Sequence, residues 1–178
     1  MFAPLVQTLA KFRQFLLVTD GDTNILKGLG DKVKVIFQRC LWHIPHQFKW
    51  HLWKDKVERK SKEWIHALAE LLEICALRFL VDDEEVIREM VDLKKERLRQ
   101  LIKYCRDRGW DSCAVYLENA APDMFTAVLN RLHGKTTSLV ERVMRTINLR
   151  INVGKWSMAG ALNATKIRLA YYYNGFDA

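Results

Sequence analysis

A short apolar run, Phe15 to Val18, ends abruptly in Thr19-Asp20-Gly21-Asp22. Its brevity, its Val, Thr and aromatic content and the Asp-Gly ending mark a buried strand running into a turn. The segment TNILKGLGD that follows suits a short helix, with Thr23 as N-cap and Gly28 and Gly30 near its end. KVKVIFQ at 32–38 then alternates Lys and Val before an apolar pair, the pattern of a second strand. Strand, turn, helix and strand of this length make a right-handed βαβ unit with parallel strands.

From Pro45 the character changes. Pro suits the first turn of a helix, where its missing N–H costs nothing. SKEWIHALAELLEICALRFL at 61–80 and DDEEVIREMVDLKKERLRQLIKYCRDRG at 82–109 have helical spacing and many charges. The second opens on four acids and closes with Arg106 and Arg108, which complements the helix dipole. More helix is expected through about residue 132. The predicted class is therefore α/β and predominantly helical: residues 1–44 and 133–178 form the α/β core, and 45–132 form an all-helical insertion. APLVQTLAKFRQ near the start reads as a short amphipathic helix. Trp42, Trp50, Trp53 and Trp64 are expected to pack between insertion and core. The last segment reads as two helices, the first capped from Thr136 to Ser138 and divided from the second by Gly154. The second starts near Trp156, and its YYYNGFD tail is expected to supply core and helix end.

Charge follows the same division. Residues 61–120 hold 13 Asp/Glu against 10 Lys/Arg, whereas residues 1–60 hold 11 Lys/Arg against 5 acids and residues 121–178 hold 8 against 3. If the two ends fold together they make one positive surface, suited to a polyphosphate such as nucleic acid. With 49% hydrophobic residues the 178-residue chain has ample material for a core, which excludes a disordered protein. Cys40, Cys75, Cys105 and Cys113 form no CxxC pair, so a reduced intracellular compartment is expected rather than a disulfide framework. The longest apolar run falls far short of the ~20 residues that span a membrane.

Two carboxylates stand out. Asp20 closes a parallel strand, where α/β sheets place their ligands. Glu141 is the sole acid between Arg131 and Arg168. On its predicted helix Val140, Val143, Met144, Ile147 and Ile151 share a face, while Glu141, Arg145 and Asn148 line one edge. Glu141 is either one half of an i,i+4 ion pair or a metal ligand beside a phosphate-binding surface. Two or three carboxylates holding two Mg²⁺ ions are a common device for phosphodiester cleavage and transfer.

VTDGD, FQRCLWH and TTSLVERVMRTINLR, in that order, resemble the Mutator-like group of DDE transposases, which includes prokaryotic insertion-sequence transposases. Asp20 resembles the family's second acid. Cys40-x2-His43 resembles its Cys/Asp-x2-His signature. Glu141 resembles the third acid, with Thr, Asn and Arg neighbours typical of that helix. The resemblance covers essentially the whole chain and implies a partial ribonuclease-H-like fold of two parallel strands with an all-α insertion. It further implies Asp20 and Glu141 as catalytic metal ligands, two Mg²⁺ or Mn²⁺ ions, and Cys40 and His43 as supporting residues beside the active site. Lys135, Arg142, Arg145, Asn148, Arg150 and Lys155 are expected to contact DNA, the phosphate contacts positioning it without reading sequence. Double-stranded DNA is the implied partner, both element ends and target, for a homo-oligomer acting in the cytoplasm at the nucleoid with no membrane association.

One departure is as informative. The family's first acid lies on an upstream strand, and residues 1–19 contain no Asp or Glu. The chain is therefore expected to be the C-terminal part of the catalytic domain and inactive alone, with an exposed sheet edge and poor solubility. The alternative is a non-catalytic DNA-binding or interaction protein that kept the scaffold. Other candidates are weaker. HGKTTS has Leu129 where a Walker loop requires Gly. Cys40, His43, His46 and His51 have close spacing and aromatic neighbours, which favours packing over zinc. Asp22 is the rival of Asp20 but is better placed to cap the next helix.

Overall fold

A computed structural model of the chain describes residues 7, 10–12, 14–22, 24–29, 33–77, 83–132 and 157–174. The protein is mostly helical, with a two-stranded sheet. Strand β1 (Phe15–Thr19) pairs in parallel with β2 (Val35–Arg39), in the register Phe15↔Val35 through Thr19↔Arg39. Between them runs α1 (Asn24–Leu29). The expected βαβ order is present. β2, however, starts at Val35 rather than Lys32, because a strand extends only as far as its partner offers backbone groups, and β1 begins at Phe15.

A helical block follows: α2 (His43–Lys54), α3 (Lys62–Cys75), α4 (Glu84–Asp107), α5 (Asp111–Ala120), a 3₁₀ turn (Ala121–Asp123) and α6 (Thr126–Leu129). Several helix ends have an identifiable cause. Ser61 Oγ accepts the Trp64 N–H at the head of α3, and Asp83 Oδ1 accepts the Glu85 N–H at the head of α4. Gly109, at φ +70°, turns the chain after α4. At the head of α5, Trp110 offers no side-chain cap, and Asp55 supplies it from α2's end by accepting the Ser112 and Cys113 N–H groups at 3.1 and 2.8 Å. α3 stops at Cys75, short of the apolar run to Leu80. The buried Lys94 of α4 donates to the Glu73 carbonyl in the last turn of α3, which also accepts the Ala76 N–H at 3.2 Å.

The core lies within this block. Ile44, Phe48 and Leu52 of α2 interlock with Leu71 and Ile74 of α3, Val91, Leu98 and Leu101 of α4, and Leu117 of α5, all buried. Trp64 packs against it half-buried. Trp42, Trp50 and Trp53 do not, contrary to expectation: they point to solvent, since the buried face of α2 is already filled by Ile44, Phe48 and Leu52.

Residues 1–136 and 137–178 form two separate compact units. In the second, α7 (Met158–Asn174) occupies the place of the last expected helix and starts two residues after Trp156. The expected helix around Glu141, most of the expected N-terminal helix, Thr23 and the NGFD-containing end beyond Asn174 lie outside the described residues. Among the described residues no helix is long and apolar enough to cross a membrane.

Candidate functional site at the sheet's C-terminal end

Parallel pairing carries the ends of β1 and β2 to one edge. The Cys40 N–H donates to the Thr19 carbonyl at 2.7 Å, so Cys40 adjoins the residue before Asp20. The Cys40 carbonyl accepts the His43 N–H at 3.1 Å, which starts α2 from the same point. Asp20, Cys40 and His43 thus meet at one end of the sheet, with Asp20 exposed, Cys40 fully buried and His43 half-buried.

The Asp20 loop is shaped by its own side chains. Thr19 Oγ1 accepts the Gly21 N–H at 3.1 Å, and Asp20 Oδ1 accepts the Asp22 N–H at 3.3 Å. Asp22 Oδ1 accepts the Asn24 N–H at 2.8 Å, placing Asp22 at the head of α1 in a capping role. Gly21 sits at φ +110°, and a Cβ there would lie 2.7 Å from Arg39 Cζ. The loop therefore rests directly on the Arg39 guanidinium.

Arg39 and its neighbour Gln38 were not singled out by sequence, and they fasten this edge to the end of the helical block. Gln38 is fully buried. Its Nε2 donates to the Arg39 and Met124 carbonyls at 2.6 and 2.8 Å, and its Oε1 accepts the Ala127 N–H at 2.8 Å. Arg39 Nη2 donates to the Asn119 carbonyl at 3.2 Å and lies 4.0 Å from Asp123 Oδ2. Arg39 Nε is buried with no hydrogen-bond partner. Burial raises the Asp123 carboxyl above its ordinary range, against the opposing pull of Arg39. Tyr116 joins the cluster, its hydroxyl donating to Gln47 Oε1 at 3.0 Å, and burial raises its pKa while Arg39 lowers it. A lone Gln-Arg pair at a strand end carries no signal of these contacts, which are made 80 to 89 residues away.

His51 and His46 each make ring contacts. His51 stacks on Tyr116 with centroids 4.4 Å apart, and its Nδ1 lies 2.7 Å from Ser112 Oγ. His46 lies against Trp42. Among the described residues no group of three or more His, Cys, Asp or Glu side chains is arranged to hold a metal. Glu141, Lys135, Arg142, Arg145, Asn148, Arg150 and Lys155 lie outside the described residues.

No family model, curated protein or solved structure matches this chain. An exposed carboxylate at the carboxyl end of a parallel strand, held by a short polar loop, can serve as one hard oxygen ligand or as an acceptor for a substrate hydroxyl. Two of the thiols are shifted up: burial pushes Cys75 up to about 12, and a hydrogen bond with Cys105, burial and a hydrogen bond with Asp55 raise Cys113. Neither is set up as a nucleophile.

Proposed function

We propose that this chain is the C-terminal part of a ribonuclease-H-like catalytic domain of a Mutator-like DDE transposase, with 45–132 as its helical insertion. The intact enzyme cleaves DNA at element ends and joins the 3′-hydroxyl to target DNA, acting as an oligomer. The observation that carries this is the placement of Asp20 and the Cys40-x2-His43 signature at one end of the sheet, where the Cys40 N–H bonds the carbonyl of Thr19, the residue before Asp20. The same order of motifs, with a helical block before Glu141, supports it.

The donor set suits Mg²⁺ or Mn²⁺ as far as it goes: Asp20 presents an exposed carboxylate whose described bond is a long one of 3.3 Å, and hard oxygens favour these ions. Asp20 and Glu141 would hold them, and the ions would activate the attacking oxygen and stabilise the leaving one. The chain's own contribution is to fix Asp20 through Thr19, Gly21 and Arg39, and to bind phosphates with Lys135, Arg142, Arg145, Arg150 and Lys155, with Asn148 beside them. A third acid must come from outside residues 1–19, which hold none. The second reading is a catalytically silent DNA-binding protein on the same scaffold.

The experiment supplies the missing acid by co-expressing the chain with, or extending it by, the strand that carries it. Mg²⁺-dependent cleavage and joining of DNA is expected, reduced about a hundredfold or more by Asp20→Asn or Glu141→Gln. Strand transfer unaffected by both substitutions overturns the proposal, and DNA binding without any cleavage favours the silent protein.

A further inference from the structure

α2 turns toward solvent a face that the fold leaves unused. Trp42, His46, Lys49 and Trp53 recur at i, i+4, i+7 and i+11, which aligns them along one side of the helix, with Trp50 on its flank. Trp42, Trp50 and Trp53 are 45%, 53% and 71% exposed. Rings of this size normally bury 150–250 Å² each, so an exposed row signals a partner.

The charges on this face have one sign. Residues 41–54 contain no Asp or Glu, and Lys49 and Lys54 stand exposed among the rings. Lys54 Nζ lies 5.5 Å from the Trp50 ring centroid. Trp42 lies against His46 with centroids 4.2 Å apart, beside a groove of about 300 Å³ lined on the far side by Leu72 of α3 and by Ala76 just after it. Desolvation, then Lys49 and His43, lower the pKa of His46, which keeps that ring neutral at pH 7. The face is thus a line of flat rings with ammonium groups set between them.

We propose that this face binds single-stranded DNA, with unpaired bases stacked on Trp42, Trp50 and Trp53 and phosphates at Lys49 and Lys54. From the proposed function it takes only that the partner is DNA. Base stacking on aromatic rings along a cationic groove is how sequence-tolerant single-strand binding works. From Trp42 to Trp53 the helix rises about 16 Å, room for roughly five nucleotides at the ~3.4 Å stacked spacing. Two other occupants fit less well. A lipid surface would bury the Lys49 ammonium between Trp42 and Trp53, whereas interfacial helices keep their lysines on the opposite face. A second copy apposed across a two-fold axis would set this row of like charges against itself.

The test is tryptophan fluorescence of the whole chain titrated with an oligothymidine, with a DNA duplex, with the matching oligouridine and with anionic phospholipid vesicles. Quenching by oligothymidine is expected. Trp42→Ala and Trp53→Ala should each weaken it about five- to hundredfold, and Lys49→Ala should reduce the slope of log affinity against log salt by about 0.7. These side chains are solvent-exposed, and unchanged circular dichroism of each variant confirms an intact fold. Affinity unaltered in both Trp variants overturns the inference, as does tighter binding to vesicles or oligouridine, or self-association abolished by Trp53→Ala. Duplex binding without oligothymidine quenching overturns this inference alone and leaves the transposase reading standing. Binding to neither DNA form overturns both.

Discussion

Gly21 cannot take a side chain without displacing the Arg39 guanidinium beneath it. Its φ of +110° is also one that L residues rarely adopt. Gly21→Ala should therefore cost about 2–4 kcal/mol, measured as a shift of the chemical-denaturation midpoint at unchanged m-value. A loss below about 0.5 kcal/mol would mean that the loop does not rest on Arg39. Gln38 makes a sharper case, because it is fully buried and answers three backbone groups. Gln38→Leu leaves the Ala127 N–H and the Met124 carbonyl without their partner, and each such loss costs about 1–3 kcal/mol. A destabilisation of about 3 kcal/mol is expected, with faster amide exchange at Ala127. At this scale sequence is a partial guide. The strand end before Asp20 was legible because an apolar run stops there. Arg39 and Gln38 were not, because these partners lie 80 to 89 residues away and nothing local announces them.

The elements were the most readable level, since hydrophobic period and caps are local. β1 falls on Phe15–Thr19 as expected, and Asp83 caps the helix that opens on acids. The tryptophans of α2 were misjudged because hydrophobicity says that a ring prefers burial, not which side of a helix the core will fill. Between α3 and α4, Arg97 grips Glu70 in a two-pronged bridge, Nε to Oε1 at 2.7 Å and Nη2 to Oε2 at 2.9 Å. That bond lowers the Glu70 pKa below its usual 4.5, outweighing the opposing effect of burial. A carboxyl whose folded pKa is depressed stabilises above its unfolded pKa, and this is lost as pH falls through the folded value. Glu70→Gln should therefore lower Tm at pH 7, by an amount equivalent to about 0.5–1 kcal/mol, and make progressively less difference below about pH 4.5. A penalty that persists unchanged at pH 3 would show that the bridge is not its source.

For the molecule as a whole, the helical block does more than fill space between two motifs. It leaves the sheet at Cys40 through α2 and returns to the same strand end through Asn119, Asp123, Met124 and Ala127. The order of Asp20, Cys40-x2-His43 and Glu141 was visible in sequence, whereas this closure was not, since it depends on two side chains meeting backbone atoms distant in the chain. The central proposal is that Asp20 and Glu141 are both metal ligands. Paramagnetic broadening of backbone amide signals on titrating the chain with Mn²⁺ tests it most directly. The account predicts that signals flanking Asp20 and those flanking Glu141 broaden together, and that Asp20→Asn diminishes both. Broadening at one of the two positions without the other, or at neither, would contradict it.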